Sequence, residues 1–290
     1  GWKSLLQLAR QWKKCPMILR GDSHQLGREQ TSKIRSLFRS WVIRRLFKHF
    51  AAFACVGQAN RAFYRQHGVP ETKLFTVPHC VDNDRFGSVP PTEVGAWRKE
   101  LGISADELLT LFAGKFEPKK RPDLLLAAFL ETQRTHEKLV FVGGGEMEPM
   151  LRDMGKNYQE SVIFAGFANQ SQMPRILAAA DLLVLPSFGP GETWGLVVNE
   201  AMAAGTPAVV SDHVGCAADL ILANQTGWTF EAGNRADLAK TLRLALSEIV
   251  QNRERFRRST RALISNYSYS AATKGLVDLI NNLRLSPSKT

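Results

Sequence analysis

From Leu108 onward the chain keeps a regular beat of short apolar runs, at Leu108–Ala113, 139–142, 162–164, Leu182–Leu185, 208–210 and 228–230. Between most of them lie segments with helical spacing, over 122–134, 173–180, 195–204 and 216–223. Strands that alternate with helices predict parallel βαβ units wound into an α/β sheet. Near-continuous apolar strands such as Leu182-Leu-Val-Leu185 are what a sheet covered on both faces requires. The first 88 residues are organised differently. They predict a helix over 2–13, a strand over 17–19, a long basic helix over 33–54, a short apolar run at 55–56, a helix over 59–67 and a strand over 74–77. That pattern is the tail of a second α/β domain, and Ser88-Val-Pro-Pro-Thr92 is the expected linker, because two prolines interrupt regular structure. Towards the end, 235–247 and 270–283 predict two further helices.

Charge is distributed unevenly. Residues 1–88 carry 16 Lys/Arg against 5 Asp/Glu, whereas 89–290 carry 22 of each, so the whole net charge of +11 sits in the first segment. A basic block with aromatic residues fits nucleic acid, anionic lipid or a phosphorylated substrate. No reading motif for RNA or DNA accompanies it, which argues against nucleic acid. No run approaches the roughly 20 apolar residues needed to span a bilayer. No signal peptide is recognisable, and Cys15, Cys55, Cys80 and Cys216 lack metal or disulfide spacing. These features give the expectation of a cytoplasmic protein.

In open α/β sheets ligands bind at the carboxyl ends of the strands, so the residues just after each strand carry the functional information. After the first run comes Ala113-Gly-Lys-Phe-Glu-Pro-Lys-Lys-Arg-Pro122, in which Lys115 and Lys120 could converge on phosphate or merely form a solvated basic turn. After the second comes Gly143-Gly-Gly145, suited to close backbone approach but not a dinucleotide fingerprint. After the third comes Gly166-Phe-Ala168, an edge on which a nucleobase could lie. After Leu182–Leu185 comes Pro186-Ser-Phe-Gly-Pro-Gly-Glu-Thr-Trp-Gly195 and a helix start, a ready anion site because its N–H groups are unpaired. Glu192 and Glu200 flank that helix start. As a pair alone they could equally be a capping residue and a solvent-facing one. Four successive strand ends with ligand-type loops weigh more than any one of them.

The segment that opens Glu192-Thr-Trp-Gly-Leu-Val-Val-Asn-Glu200 resembles the Glu-x7-Glu region of retaining glycosyltransferases of the GT-B fold, family four. Ala113-Gly-Lys-Phe-Glu-Pro-Lys-Lys120 resembles the phosphate clamp of that family, Phe141-Val-Gly-Gly-Gly-Glu146 its second strand turn, and Val77-Pro-His-Cys-Val-Asp-Asn-Asp-Arg-Phe86 the end of its N-terminal domain. The resemblance runs from about residue 16 to residue 283. It implies an α/β fold of two Rossmann-like domains with the N-terminal one truncated: a partial acceptor-side domain over 1–88, a nucleotide-sugar-binding domain over 89–268, and a helix over 269–290 that packs back on the first domain. It implies a metal-independent hexosyltransferase with no cofactor, using a nucleotide-diphosphate sugar as co-substrate. The acceptor would be a glycan or lipid-linked molecule in polysaccharide or lipopolysaccharide synthesis.

Residue by residue, Glu192 would contact the donor sugar, and the amides from Thr193 through Trp194 and Gly195 to Leu196 would lie near sugar and diphosphate. Glu200 would bind ribose, Lys115 and Lys120 with Gly114 would line the diphosphate, and Phe167 would meet the base through its main chain. The family usually has Arg where this chain has Lys115, so the charge is kept but the bidentate fork is lost. His24, at the end of Met17-Ile-Leu-Arg-Gly-Asp-Ser-His24, is the best match to a histidine the family places near the sugar; a structural or solvent-exposed histidine is the other reading. The helix over 33–50 is either core-packed with a solvated basic face or a docking element for an anionic membrane surface, on the inner face of the membrane. Asp82-Asn-Asp84 spells the Asp-x-Asp of metal-dependent enzymes, but its position between a strand and the linker favours a turn held by Asx side chains. A sugar-nucleotide epimerase or phosphorylase on the same fold and a non-catalytic basic binding module are the competing functions.

Overall fold

The computed structural model describes residues 7, 16–27, 33–132 and 135–285. Most of the expected helix over 2–13 lies outside them. Two parallel sheets organise the chain. The smaller has three strands in the order β1 (Ile18–Gly21), β2 (Ala52–Cys55) and β3 (Leu74–Thr76). Helix α1 (Lys33–Phe47) joins the first pair of strands and α2 (Gln58–Gln66) the second. The expected basic helix thus ends seven residues early, because Ala52–Cys55 is buried at every position and is used as the central strand. Phe53 and Cys55 enter a core with Leu46, Phe47, Phe63 and Tyr64, while Ala52 and Ala54 face Leu279 on the other side. Alternation of small and large side chains across one strand is what allows two thin cores.

The larger sheet contains β4 (Leu108–Ala113), β5 (Glu137–Val142), β6 (Val162–Gly166), β7 (Leu182–Leu185), β8 (Ala208–Ser211) and β9 (Gly227–Phe230), in the spatial order β6-β5-β4-β7-β8-β9. All its pairs are parallel. Leu109, Leu111, Val140 and Val142 enter the core on one face, and Phe112, Leu139 and Phe141 the core on the other. The connecting helices are α5 (Pro122–Thr132), α6 (Glu148–Gly155), α7 (Met173–Ala179), α8 (Leu196–Ala204) and α9 (Ala217–Leu220). Chain order runs outward from β4 to β6, then returns to place β7 on the other side of β4. The topological switch therefore lies between β4 and β7, where such sheets open a crevice.

The passage between the sheets falls ahead of the expected linker. Asp82 caps a short helix α3 (Asn83–Gly87) by accepting the Arg85 amide at 3.0 Å. Phe86, only 2% exposed, is buried in the core of the larger sheet, and α3 packs against α7 and α8. Pro91 then starts α4 (Pro91–Glu100), which seats Trp97 in the same core. A proline at the first helical position loses no hydrogen bond, so the two prolines read as a break belong to a helix entry. Residues 83–100 thus belong with the larger sheet.

Helix α10 (Arg235–Ile264) continues past the expected end at 247 and bends at Asn252. Helix α11 (Tyr269–Leu285) returns to the small sheet and packs on β2 and β3. Gly275 makes that crossing close: a Cβ there would lie 2.0 Å from the Thr76 carbonyl oxygen. Among the described residues no helix is long and apolar enough to cross a membrane.

Candidate functional site

The crevice at the switch point is bounded by the loop after β4 (114–121) and the loop after β7 (186–195). The Phe188 amide donates to the Lys119 carbonyl at 2.8 Å and ties the two loops together. Across this tie the Lys120 ammonium forms an ion pair with Oε2 of Glu192, and both side chains are largely buried. The Ser187 hydroxyl donates to the same oxygen at 3.0 Å, and Ser187 is held in turn by the Ser211 hydroxyl, which donates to its carbonyl. Gly195, at φ +96°, turns the loop into α8. A Cβ at Gly195 would fall 2.9 Å from Leu185 and 3.0 Å from Val214. The start of α8 has no side-chain cap, and Leu196 is exposed beside it. An uncapped helix start with a lysine beside it is suited to an anion.

Lys115 stands exposed on the same loop as Lys120. The Gly114 amide is already used by the Val142 carbonyl at 3.0 Å, so this residue contributes its conformation, φ +158°, instead of a free donor. The close approach expected at Gly143–Gly145 is made by protein. A Cβ at Gly143 would lie 2.0 Å from the Gly114 carbonyl oxygen, and one at Gly145 would lie 2.5 Å from that of Phe116. These glycines seat the lysine-bearing loop. Phe167 is 83% exposed at the end of β6, an open edge. Glu200, on α8, faces Arg85 and accepts a hydrogen bond from Gln170; burial raises its carboxyl pKa above the usual glutamate range, and both neighbours counter that.

Two of the candidate residues are buried. Trp194 is buried, with its indole N–H donating to Asn199 at 2.7 Å and its ring against His79 and Tyr267, so only its main chain borders the helix entry. His24 is 2% exposed and reaches the main chain of Glu192. Its Nδ1 accepts the Leu26 amide at 3.1 Å, so Nε2 carries the proton and donates to the Glu192 carbonyl at 3.1 Å. Next to it Asp22 accepts the Thr193 hydroxyl at 2.6 Å. The loop after β1 thus grips the loop after β7 from the smaller domain.

A second contact between the domains lies at Asp219. Gly57 precedes α2 and offers no side-chain cap, and the Asp219 carboxylate accepts the Gln58 amide at 2.9 Å in its place. A Cβ at Gly57 would collide with the Trp194 ring at 2.4 Å. Burial raises the Asp219 carboxyl pKa, more than the Gln58 amide and the Tyr267 hydroxyl lower it. The folded protein therefore binds this proton more readily than the unfolded chain, and stability contributed here is lost as pH rises through the raised value. We expect Asp219→Asn to gain stability relative to the parent between about pH 4 and pH 7. Urea midpoints measured across that range check it, and a constant difference would contradict the assignment.

Asp22, Ser187, Gln170 and Asp219 carry no motif of their own, and Arg85 lies in the Val77–Phe86 segment with no role implied for it there. Asp22 and Ser187 each lie just past a strand, a local signal; Asp219 acts through distant partners, the Gln58 amide and the Tyr267 hydroxyl. Asp82 is occupied as a helix cap, and among the described residues no group of three or more His, Cys, Asp or Glu is placed to hold a metal.

Two parallel α/β domains in contact, the larger with an uncapped helix start and a buried lysine–glutamate pair at its topological switch point, define a two-domain α/β class. Residues 93–263 match the family model described as glycosyl transferases group 1, and the chain belongs to this family, glycosyltransferase family four with the GT-B fold. It is 36% identical over 118 residues to an uncharacterized glycosyltransferase of Methanocaldococcus jannaschii, covering 40% of this chain and 30% of that protein. It is 28% identical over 241 residues to a D-inositol 3-phosphate glycosyltransferase of Nocardia farcinica, covering 78% and 51%. The chain spans about half or less of the length of these relatives. The crystal structure of Anabaena HepE in complex with UDP superposes with a TM-score of 0.80 at 20% identity, over 97% of this chain and 77% of that one. Sucrose-phosphate synthase from Thermosynechococcus elongatus gives 0.76 at 22% identity, over 98% and 71%. At such identities the likeness concerns the fold.

Proposed function

We propose that this chain provides the donor site of a retaining hexosyltransferase, moving a hexose from a nucleotide-diphosphate sugar to a glycan or lipid-linked acceptor. The observation that carries the reading is the Lys120–Glu192 pair at the uncapped start of α8, in the switch-point crevice. In this reading the diphosphate lies between the start of α8 and Lys115 and Lys120, the ribose on Glu200, the base along Phe167, and the sugar on Glu192. Breaking the anomeric C–O bond leaves negative charge on the departing phosphate, and fixed lysines and helix amides stabilise it where it develops. The departing phosphate then takes the acceptor's proton while attack occurs on the same face. A glycosyl adduct trapped on Glu192 would rule that course out. UDP in the structures of Anabaena HepE supports a nucleotide-sugar donor.

The acceptor side is basic. No Asp or Glu occurs between Gln30 and Pro70, and α1 exposes Leu37, Phe38 and Trp41 with Arg45 over the Trp41 ring. Its basic and exposed aromatic side chains suit an anionic membrane surface at the cytoplasmic face through charge, without a segregated apolar face. Equal flotation with neutral and anionic vesicles would exclude it.

The reading is tested by a thermal-shift screen of uridine, guanosine and adenosine diphosphate sugars on the parent and on Glu192→Gln, with and without EDTA. One sugar nucleotide should raise the parent's Tm. The rise should survive EDTA and shrink in the variant to that given by the free nucleotide. A panel in which no sugar nucleotide shifts the parent would refute the function, and a shift abolished by EDTA would refute metal independence.

A further inference from the structure

We infer that Ser187 is the positioning residue of this site: its hydroxyl holds Oε2 of Glu192 so that Oε1 is the oxygen presented to the donor sugar. The inference rests on the proposed role of Glu192. Both contacts to the Glu192 carboxylate, from Lys120 and from Ser187, fall on Oε2. Oε1 makes no hydrogen bond among the described residues, and it is not one of the buried polar atoms left without a partner, so it keeps contact with solvent and is free to meet a ligand.

The two donors to Oε2 differ in kind. Lys120 ends a flexible chain on the loop that borders the expected diphosphate, and a phosphate competes with Glu192 for its ammonium. Ser187 cannot follow. It is completely buried, one residue past Pro186 at the end of β7, and the Ser211 hydroxyl from the neighbouring strand holds its carbonyl. When the donor draws Lys120 onto phosphate, Ser187 alone keeps the carboxylate from rotating. It acts through Glu192, not on the substrate.

The presented Oε1 also bears on the donor's chemistry. A carboxylate oxygen accepts hydrogen bonds from sugar hydroxyls and repels a sugar carboxylate, so the pocket suits a neutral sugar over a uronic acid.

Calorimetric titration with UDP and with UDP-glucose tests the inference, the measured quantity being the ratio of their Kd values. Ser187→Ala should leave UDP binding within about twofold and reduce the sugar-dependent gain by about tenfold or more, the effect of one hydrogen bond to a charged group. Ser187→Cys, close in size but a weak donor, should fall between parent and alanine variant. In a Glu192→Gln background Ser187→Ala should change the ratio little, because both act through one carboxylate. Equal weakening of both ligands, or an undiminished effect of Ser187→Ala in that background, would overturn the inference. So would a parent-like ratio in Ser187→Ala when Glu192→Gln has lost the sugar gain, an outcome that leaves the reading of Glu192 intact. If the parent shows no sugar-dependent gain and Glu192→Gln matches it, the reading of Glu192 fails and the role of Ser187 falls with it.

Discussion

Lys120→Ala should lower sugar transfer by about two to three orders of magnitude, the scale of removing a donor that stabilises transition-state charge. The ammonium has two partners in this account: Glu192 in the empty site and the departing phosphate during reaction. Its removal therefore also leaves the Glu192 carboxylate, on a side chain only 12% exposed, without its counter-ion. Because the pair keeps some contact with water, the stability loss should be about 1–2 kcal/mol, below that of a fully buried pair. The two effects separate in the double variant Lys120→Ala/Glu192→Gln, which should recover most of the stability and none of the transfer. Urea unfolding and donor-consumption assays measure them side by side. Lys120→Arg should fold normally and transfer slowly, since a planar guanidinium cannot occupy the position of a compact ammonium. Unaltered transfer in the alanine variant would remove Lys120 from the chemistry.

The second large effect is expected at Gly215, which follows β8 and is in contact with the loop that bears Glu192. Its amide donates to the Glu192 carbonyl at 3.1 Å. A Cβ there would lie 1.9 Å from the Thr193 carbonyl oxygen and 3.2 Å from the His24 ring. Backbone is on the other side of the contact, so no rotamer change relieves it. The loop after β7 must shift, and overpacking of this kind costs about 1–3 kcal/mol. Gly215→Ala should lower the urea midpoint accordingly and weaken donor binding by more than about tenfold, since the shift reaches Glu192 and the start of α8 together. Gly95→Ala is the control. Gly95 lies within α4 with nothing near its missing Cβ, and alanine there should stabilise by about 0.5–1 kcal/mol. Parent-like donor affinity in Gly215→Ala would show that the loop is not held in the way described.

Much of the larger domain is legible because its signals are local. Apolar runs buried on both faces have few alternatives to parallel strands, and Leu108–Ala113 and Leu182–Leu185 occur with the limits their sequence suggests. The smaller domain depends on long-range pairing. Ala52–Cys55 looks like the continuation of a helix, and only pairing with β1 and β3 makes it a strand. Pro90 and Pro91 look like a linker until Phe86 and Trp97 are seen buried on either side of them.

The site divides along the same line. Glu192, Glu200, Lys115, Lys120 and Phe167 can be picked as candidates from the residues alone, because each follows a strand or sits on the helix after one, at the carboxyl edge of a parallel sheet. Their pairing cannot be found that way. The contact of Lys120 with Glu192 depends on the strand order, which makes β4 and β7 neighbours across 72 residues of chain. The same holds for His24, whose residue type suggests a catalytic group. Its surroundings, a Leu26 amide on one nitrogen and a Glu192 carbonyl on the other, make it a clamp on the main chain. Local composition therefore marks which loops of this chain are candidates for a site. Long-range packing decides which carboxylate oxygen, which lysine and which domain contacts come together there, because hydrogen bonds are short and directional and the chain alone does not specify distances.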